Sequence, residues 1–260
     1  ELTAIQINNP FVLRSVEPGI ADLLNHRVTR VSRLGKRIVV ALEPAYFIVM
    51  HLMIAGRLQW RKSPLQRSRS GQKPAGRGRG LAVLEFSSGA LTLTEAGKKR
   101  RASLHLVQGE NGLKDFDRGG LEVFEVDLDE FKEALVARNH TLKRALTDPR
   151  ILSGIGNAYS DEILHRAGLS PFRQTQKMTA EEVNILYGAT RDTLSEWLVR
   201  LREETGEGFP AKVTAFRPGM AVHGRFREPC PSCGSPVQRI VYAQNECNYC
   251  ARCQTGGKLL

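Results

Sequence analysis

The stretch LKRALTDPRILSGIGNAYSDEILHRAGLSP, residues 142–171, sets helical segments on both sides of a break in which Gly154, Gly156 and Asn157 fall within four positions. Proline and glycine interrupt helices, and glycine leaves the backbone uncovered. Two readings follow. Either the glycines let two helices cross closely, or they bring the amino end of the second helix against an anion, which its dipole and first-turn N–H groups favour. The break alone does not choose, so the choice falls to the rest of the chain.

Charge narrows the field. Thirty-eight Lys and Arg against 27 Asp and Glu give a formal +11 over 260 residues, an excess that suits a polyanionic partner through release of condensed counterions. A solvated basic surface is the plainer explanation, and distribution distinguishes the two. Residues 61–80, RKSPLQRSRSGQKPAGRGRG, carry seven basic residues and no acidic one, with Pro and Gly that oppose regular structure, so a mobile basic loop is expected. GKKRR at 97–101 is a second cluster, following the alternating pattern of ALTLTEA. No run of about 18 uncharged apolar residues is present, and the first residues lack the basic, apolar and small-residue series of a signal peptide. The expected setting is the cytoplasm, with nucleoid association in a bacterial cell, and no membrane partner.

The hydrophobic period divides the chain. LTAIQI, RVTRVSRL, RIVVALE, YFIVMHLM, GRLQW, LAVLEFSS, ALTLT and LEVFEVDL are short, rich in Val, Ile and Leu, and separated by Gly, Pro or Asn, which predicts an antiparallel β-sandwich over 1–126. Near Asp127 the period lengthens. DLDEFKEALVAR places Leu128, Phe131, Leu135 and Val136 on one helical face; TLKRAL and NAYSDEILHRAG follow as helices, and Thr179 opens a capping box, TAEE, before a long helix to about Arg202. Residues 127–220 are therefore expected to form a helical domain ending in the link GEGFPAKVTAFRPGM, and 221–260 a cysteine-rich hairpin. The predicted fold class is multi-domain α+β.

All five cysteines lie in the last 31 residues: Cys230 and Cys233 in CPSC, Cys247, then Cys250 and Cys253 in CARC. Two C-x2-C pairs joined by a hairpin-like segment are the pattern of one tetrahedral zinc ion, each pair forming a thiolate knuckle. A redox dithiol is the competing reading of a single pair. Cys247 could replace Cys253 as the fourth ligand on thiolate count alone. Four thiolates leave no open coordination position, so the predicted Zn2+ is structural.

Read together, residues 142–171 and the CPSC…CARCQ tail with GRFREPC leading into it resemble the formamidopyrimidine-DNA glycosylase and endonuclease VIII family. The first stretch is similar to that family's helix-two-turns-helix and the second to its zinc hairpin. LGKRIVVAL (34–42) and HLMIAGRL (51–58) are similar to a strand pair of its amino-terminal β-sandwich. The resemblance implies a base-excision repair glycosylase with abasic-site lyase activity on damaged double-stranded DNA, acting as a monomer with DNA in the cleft between domains. By similarity, Gly154 and Gly156 bring the backbone to a phosphate and Asn157 adds a side-chain donor. Lys36 falls at the catalytic-pocket lysine, where it is expected as a charged ammonium near the usual value of about 10.4. Ile54, with Met53 beside it, falls where an apolar wedge enters the duplex, and Arg100 and Arg101 fall at an arginine pair. Two departures stand out: Ala102 replaces an aromatic wedge, and Asn245 replaces a phosphate-binding arginine at the hairpin tip. The family's nucleophile is an amino-terminal proline with a glutamate beside it. The resemblance begins beyond that helix, so this segment is expected to lie outside the chain, and Glu1 is not assigned the acid's role. A binding-only protein that keeps the DNA clamp is the second reading, and an RNA- or ribosome-binding zinc module the third.

Overall fold

The computed structural model describes residues 1–62, 80–96, 100–210, 215–242 and 245–260. Most of the expected basic loop, three residues of the GKKRR cluster, part of the 206–220 link and Gln244 at the hairpin turn therefore lie outside the described residues. Two compact units emerge: Glu1–Asp117 belongs to one, and Arg118–Glu203 with Ala215–Leu260 to the other.

The first unit contains eight described strands: β1 (Leu2–Ile7), β2 (Val28–Leu34), β3 (Arg37–Leu42), β4 (Tyr46–His51), β5 (Gly56–Lys62), β6 (Ala82–Phe86), β7 (Gly89–Glu95) and β8 (Ser103–Gln108). They form two antiparallel four-stranded sheets, ordered β1-β6-β7-β5 and β2-β3-β4-β8. Alternation decides the packing. Leu2, Ile5, Leu84, Leu91 and Leu93 of the first sheet meet Val40, Leu42, Ile48, Met50, Leu104 and Leu106 of the second in one core. The uninterrupted apolar runs of β3 and β4 are buried on both faces, because Val39, Ala41, Phe47 and Val49 turn away from that core and pack with Val107, Leu113 and Phe116. Leu113 belongs to a short helix, α1 (Gly109–Lys114). Neither β8 nor α1 is among the predicted elements, although Leu104 and Leu106 alternate clearly in the sequence. Arg61 and Lys62, expected in the basic loop, close β5 instead, paired with Ala90 and Gly89.

The second unit is helical: α2 (Leu128–Val136), α3 (Leu142–Thr147), α4 (Asn157–Arg166) and α5 (Ala180–Thr205). Its core joins Phe131, Leu135, Leu142, Leu146, Leu152, Ile155, Ile163, Leu164, Val183 and Leu186. Asp127 and Glu130 form a reciprocal capping box at the start of α2, and Thr179 and Glu182 form another before α5. LEVFEVDL is not a strand. Its carbonyls are taken by side chains of α5, with the Tyr187 hydroxyl donating to Val126 O at 2.9 Å and Arg191 donating to Val123 O at 2.8 Å. Only Leu121 makes a bridge, to Leu152. The segment has the strand period but no strand beside it. A hairpin, β9 (Val237–Tyr242) and β10 (Asn245–Cys250), completes the unit with a last short helix, α6 (Ala251–Thr255). Among the described residues no helix is long and apolar enough to cross a membrane.

Candidate nucleic-acid interface

In the second unit, the glycine break at 154–157 becomes the approach to α4. Gly154 has φ +83°, a left-handed conformation that side chains disfavour, and Gly156 is the extended N-cap of α4 with no side-chain cap. The first-turn N–H groups of a helix have no intrahelical acceptors, which gives this end its affinity for anions. Asn157 is the first helical residue. Its side-chain amide donates to the carbonyl of Glu246 at 2.8 Å, so the residue expected to reach a phosphate also ties α4 to β10.

That tie is one of several. Asp161 is 0% exposed and accepts from Lys143 Nζ at 2.5 Å, the Asn248 backbone at 3.1 Å and the Asn248 amide at 3.4 Å, while His223 Nδ1 lies at 2.8 Å. The Lys143 ammonium also donates to Asn157 O and Ser160 Oγ, each at 2.8 Å. Beside it, Glu162 accepts three backbone N–H groups, from Ala221, Val222 and His223, at 2.6, 3.0 and 2.9 Å. Two consecutive carboxylates on one helix thus fasten α4 to the hairpin and to the segment before it. Sequence reading assigns neither a role, because S-D-E within a helix has the same pattern when solvated.

The thiols of Cys230, Cys233, Cys250 and Cys253 lie within 4.8 Å of one another. Zinc–sulfur bonds of about 2.3 Å in a tetrahedron require sulfur–sulfur edges of about 3.8 Å. The Cys230–Cys253 and Cys233–Cys250 separations are 3.9 and 3.4 Å, so the quartet fits such an ion and is far from disulfide length. His165 Nε2 lies 3.2 Å from Cys230 Sγ. Gln254, just beyond the last ligand, accepts from Cys250 N at 2.8 Å and donates to Leu169 O at 2.9 Å, securing the knuckle to the loop after α4. Cys247 stands outside the quartet. Burial and the nearby Asp161 carboxylate push its thiol up to about 12, which keeps it protonated. Asn245 opens β10, exposed and in register with Tyr242.

In the first unit, strand register gathers the other predicted residues at one end of the sandwich. Arg37 at the start of β3 faces His51 at the end of β4, which faces Ser103 at the start of β8. Lys36 in the β2–β3 turn, Met53 and Ile54 after β4, and Arg100 and Arg101 before β8 consequently share that end. Lys36 departs from expectation: although exposed to solvent, its amine is held below the ordinary lysine value by partial burial. Ile54 is 78% exposed and Met53 42%, whereas Ala102 is 3% exposed. Ala102 therefore contributes packing and presents nothing to solvent. Glu95, absent from the sequence reading, organises this loop by accepting from Arg101 N at 2.8 and 3.0 Å and from Ala102 N at 2.9 Å. Nothing in the local pattern distinguishes Glu95 from any other strand-terminal carboxylate.

Two helices joined through glycine turns, locked to a four-thiolate hairpin, in a chain that also carries an antiparallel sandwich, define a helix-two-turns-helix protein with a metal-type hairpin. The family model described as the formamidopyrimidine-DNA glycosylase N-terminal domain matches residues 1–101, and that of the formamidopyrimidine-DNA glycosylase H2TH domain matches residues 122–205. A formamidopyrimidine-DNA glycosylase of Thermus thermophilus is 34% identical over 244 residues, covering 89% of this chain and 84% of that protein. A solved structure of the MutM (Fpg) protein from Thermus thermophilus has a TM-score of 0.75 at 29% identity, covering 97% of this chain and 91% of that one. The Lactococcus lactis Fpg in complex with DNA containing an abasic site shares the fold with a TM-score of 0.80 at 20% identity, covering 98% and 92%. The chain belongs to the formamidopyrimidine-DNA glycosylase family.

Proposed function

We propose that this protein is a base-excision DNA glycosylase with abasic-site lyase activity, acting on oxidised bases in double-stranded DNA. The observation that carries the reading is the locking of α4 to the cysteine hairpin through Asn157 and Asp161, and to residues 221–223 through Glu162, in a chain of this family. The amino end of a helix held in this way is preorganised for a phosphate, since its N–H groups and dipole are fixed before the ligand arrives. Zinc is the ion of choice for four thiolates at these separations, and it would hold the hairpin rather than take part in the reaction.

The first unit supplies the chemistry-facing side chains. Lys36 presents an amine to the sugar-phosphate of the target nucleotide, where partial burial holds that amine below the ordinary lysine value. Arg100 and Arg101 neutralise the opposite strand. Met53 and Ile54 occupy the space vacated when the target base leaves the stack, a requirement for chemistry at a sugar inside a duplex.

The direct test is base release and borohydride trapping on duplexes carrying a formamidopyrimidine lesion, an abasic site or no lesion. A trapped adduct on abasic DNA is expected, and Lys36→Ala should reduce its rate by about 10–100-fold while changing intact-duplex affinity far less. Full binding of abasic duplex without either base release or adduct would establish the binding-only reading instead.

Binding itself has a separate signature. Asn157→Ala should weaken every duplex sequence, and Arg101→Ala should reduce the slope of log affinity against log salt by about one. Filter-binding titrations from low to physiological salt measure both. Unchanged affinity in both variants would remove this interface.

A further inference from the structure

The turn after β4 is held by one side chain, that of His51. His51 Nδ1 accepts the backbone N–H of Met53 at 2.9 Å. Met53 has φ +53°, in the left-handed region that residues with a Cβ occupy unfavourably. The turn is closed on its other side by Gly56 N donating to Leu52 O at 2.8 Å. A Cβ at Gly56 would lie 2.3 Å from that same oxygen, so only glycine closes it. Ala96 N donates to Ala55 O at 3.2 Å, joining the turn to the loop that Glu95 organises.

These contacts present two exposed apolar side chains at a site surrounded by cations. Lys36 and Arg37 lie close enough to His51 to disfavour a further positive charge on it, and His105 adds to the effect. An apolar pair gains nothing from water, yet here it is displayed on a constrained backbone beside groups that attract phosphate. That combination suits insertion into a base stack.

We propose that His51 is the positioning residue of this turn: its unprotonated Nδ1 clamps Met53 in the left-handed conformation and so aims Met53 and Ile54 for insertion into damaged DNA. The insertion half of this inference rests on the DNA-repair reading, whereas the clamp stands on the turn's own geometry. An Nδ1 that accepts an N–H must carry the lone pair, so the neutral ring holds its proton on Nε2. Burial is the first influence keeping the ring neutral, with the charges of Arg37, Lys36 and His105 acting in the same direction.

Two amide substitutions separate this role from any role of the opposite ring nitrogen. His51→Asn places its side-chain oxygen near the position of Nδ1, whereas His51→Gln extends its polar atoms toward that of Nε2. In the full chain, the readouts are the affinity ratio for abasic over intact duplex and the fluorescence of 2-aminopurine placed beside the gap. His51→Gln should lower the ratio by about tenfold, the value of one well-placed hydrogen bond, and reduce the insertion signal. His51→Asn should restore both to within about threefold of the unsubstituted protein. A Gln variant equal to or better than the Asn variant would overturn the inference. The clamp is tested without DNA by nitrogen-15 NMR of the free protein at neutral pH, where a pyridine-like Nδ1 is expected and a proton on Nδ1 would refute it. Equal binding of abasic and intact duplexes by the unsubstituted protein would instead defeat the DNA-damage reading, and the tautomer would still decide the clamp.

Discussion

Cys250→Ser is expected to abolish stoichiometric zinc binding and unfold the β9–β10 hairpin. Apparent zinc-binding energies in thiolate modules reach about 10–16 kcal/mol, most of it expressed as folding energy. The buried set around the site, Val222, Cys230, Val237 and Cys250, with Cys233 and Cys253 against it, contains few apolar side chains. Such a core is too small to fold a hairpin without the ion. The consequence extends beyond the metal, because the Glu246 carbonyl that holds Asn157 and the Asn248 groups that bond Asp161 belong to β10. Duplex affinity should therefore fall together with metal content, measured by zinc release and by titration with labelled DNA. Cys247→Ser is the control and should retain the ion. Retention of one zinc by Cys250→Ser, or its loss from Cys247→Ser, would overturn the quartet.

Asp161→Ala is expected to destabilise the helical unit by about 3–5 kcal/mol, the usual result of removing one member of a buried charged pair. The side chain of Lys143 is only 16% exposed, so without its carboxylate the ammonium remains inside with Asn157 O and Ser160 Oγ as neutral acceptors. His223 and Asn248 lose an acceptor at the same time. The loss should appear in denaturant unfolding followed through Trp197, which packs against Tyr159 of α4. Combining Asp161→Leu with Lys143→Met should recover much of the stability, since an apolar replacement of a whole buried pair is often neutral. Abasic-duplex affinity should not recover in that double variant, because the link between α4 and β10 is gone. A single-variant loss under about 1 kcal/mol would show the pair to be solvated in solution.

The helices announced themselves through groups within four residues of one another. Thr179 with Glu182 is a reciprocal cap in the structure, as the TAEE spacing predicts, and Asp127 with Glu130, not singled out in the sequence, forms a second one. Most strands are equally legible, because β1 and β7 alternate apolar with polar residues and β3 and β4 are short continuous apolar runs. LEVFEVDL shows the limit. Its alternation matches a strand, but ladder hydrogen bonds require a neighbour, and Tyr187 and Arg191 claim its carbonyls first. The opposite error concerns Ser103–Gln108, which is a strand because β4 lies beside it in register.

The sequence by itself determined the paired thiols, the helix caps and the glycine break, since each depends on spacing along a few residues and on chemistry that neighbours cannot change. Tertiary structure alone decided which polar side chains would matter. Asp161 and Glu162 become fasteners because their donors come from Lys143 on one side and residues 221–223 and 248 on the other. Lys36 acquires a lowered pKa, and His51 a backbone partner in a turn that the sheet register sets beside it. The physical reason is that spacing acts through covalent geometry, which sequence records, whereas burial and electrostatics act through whatever atoms the fold brings near.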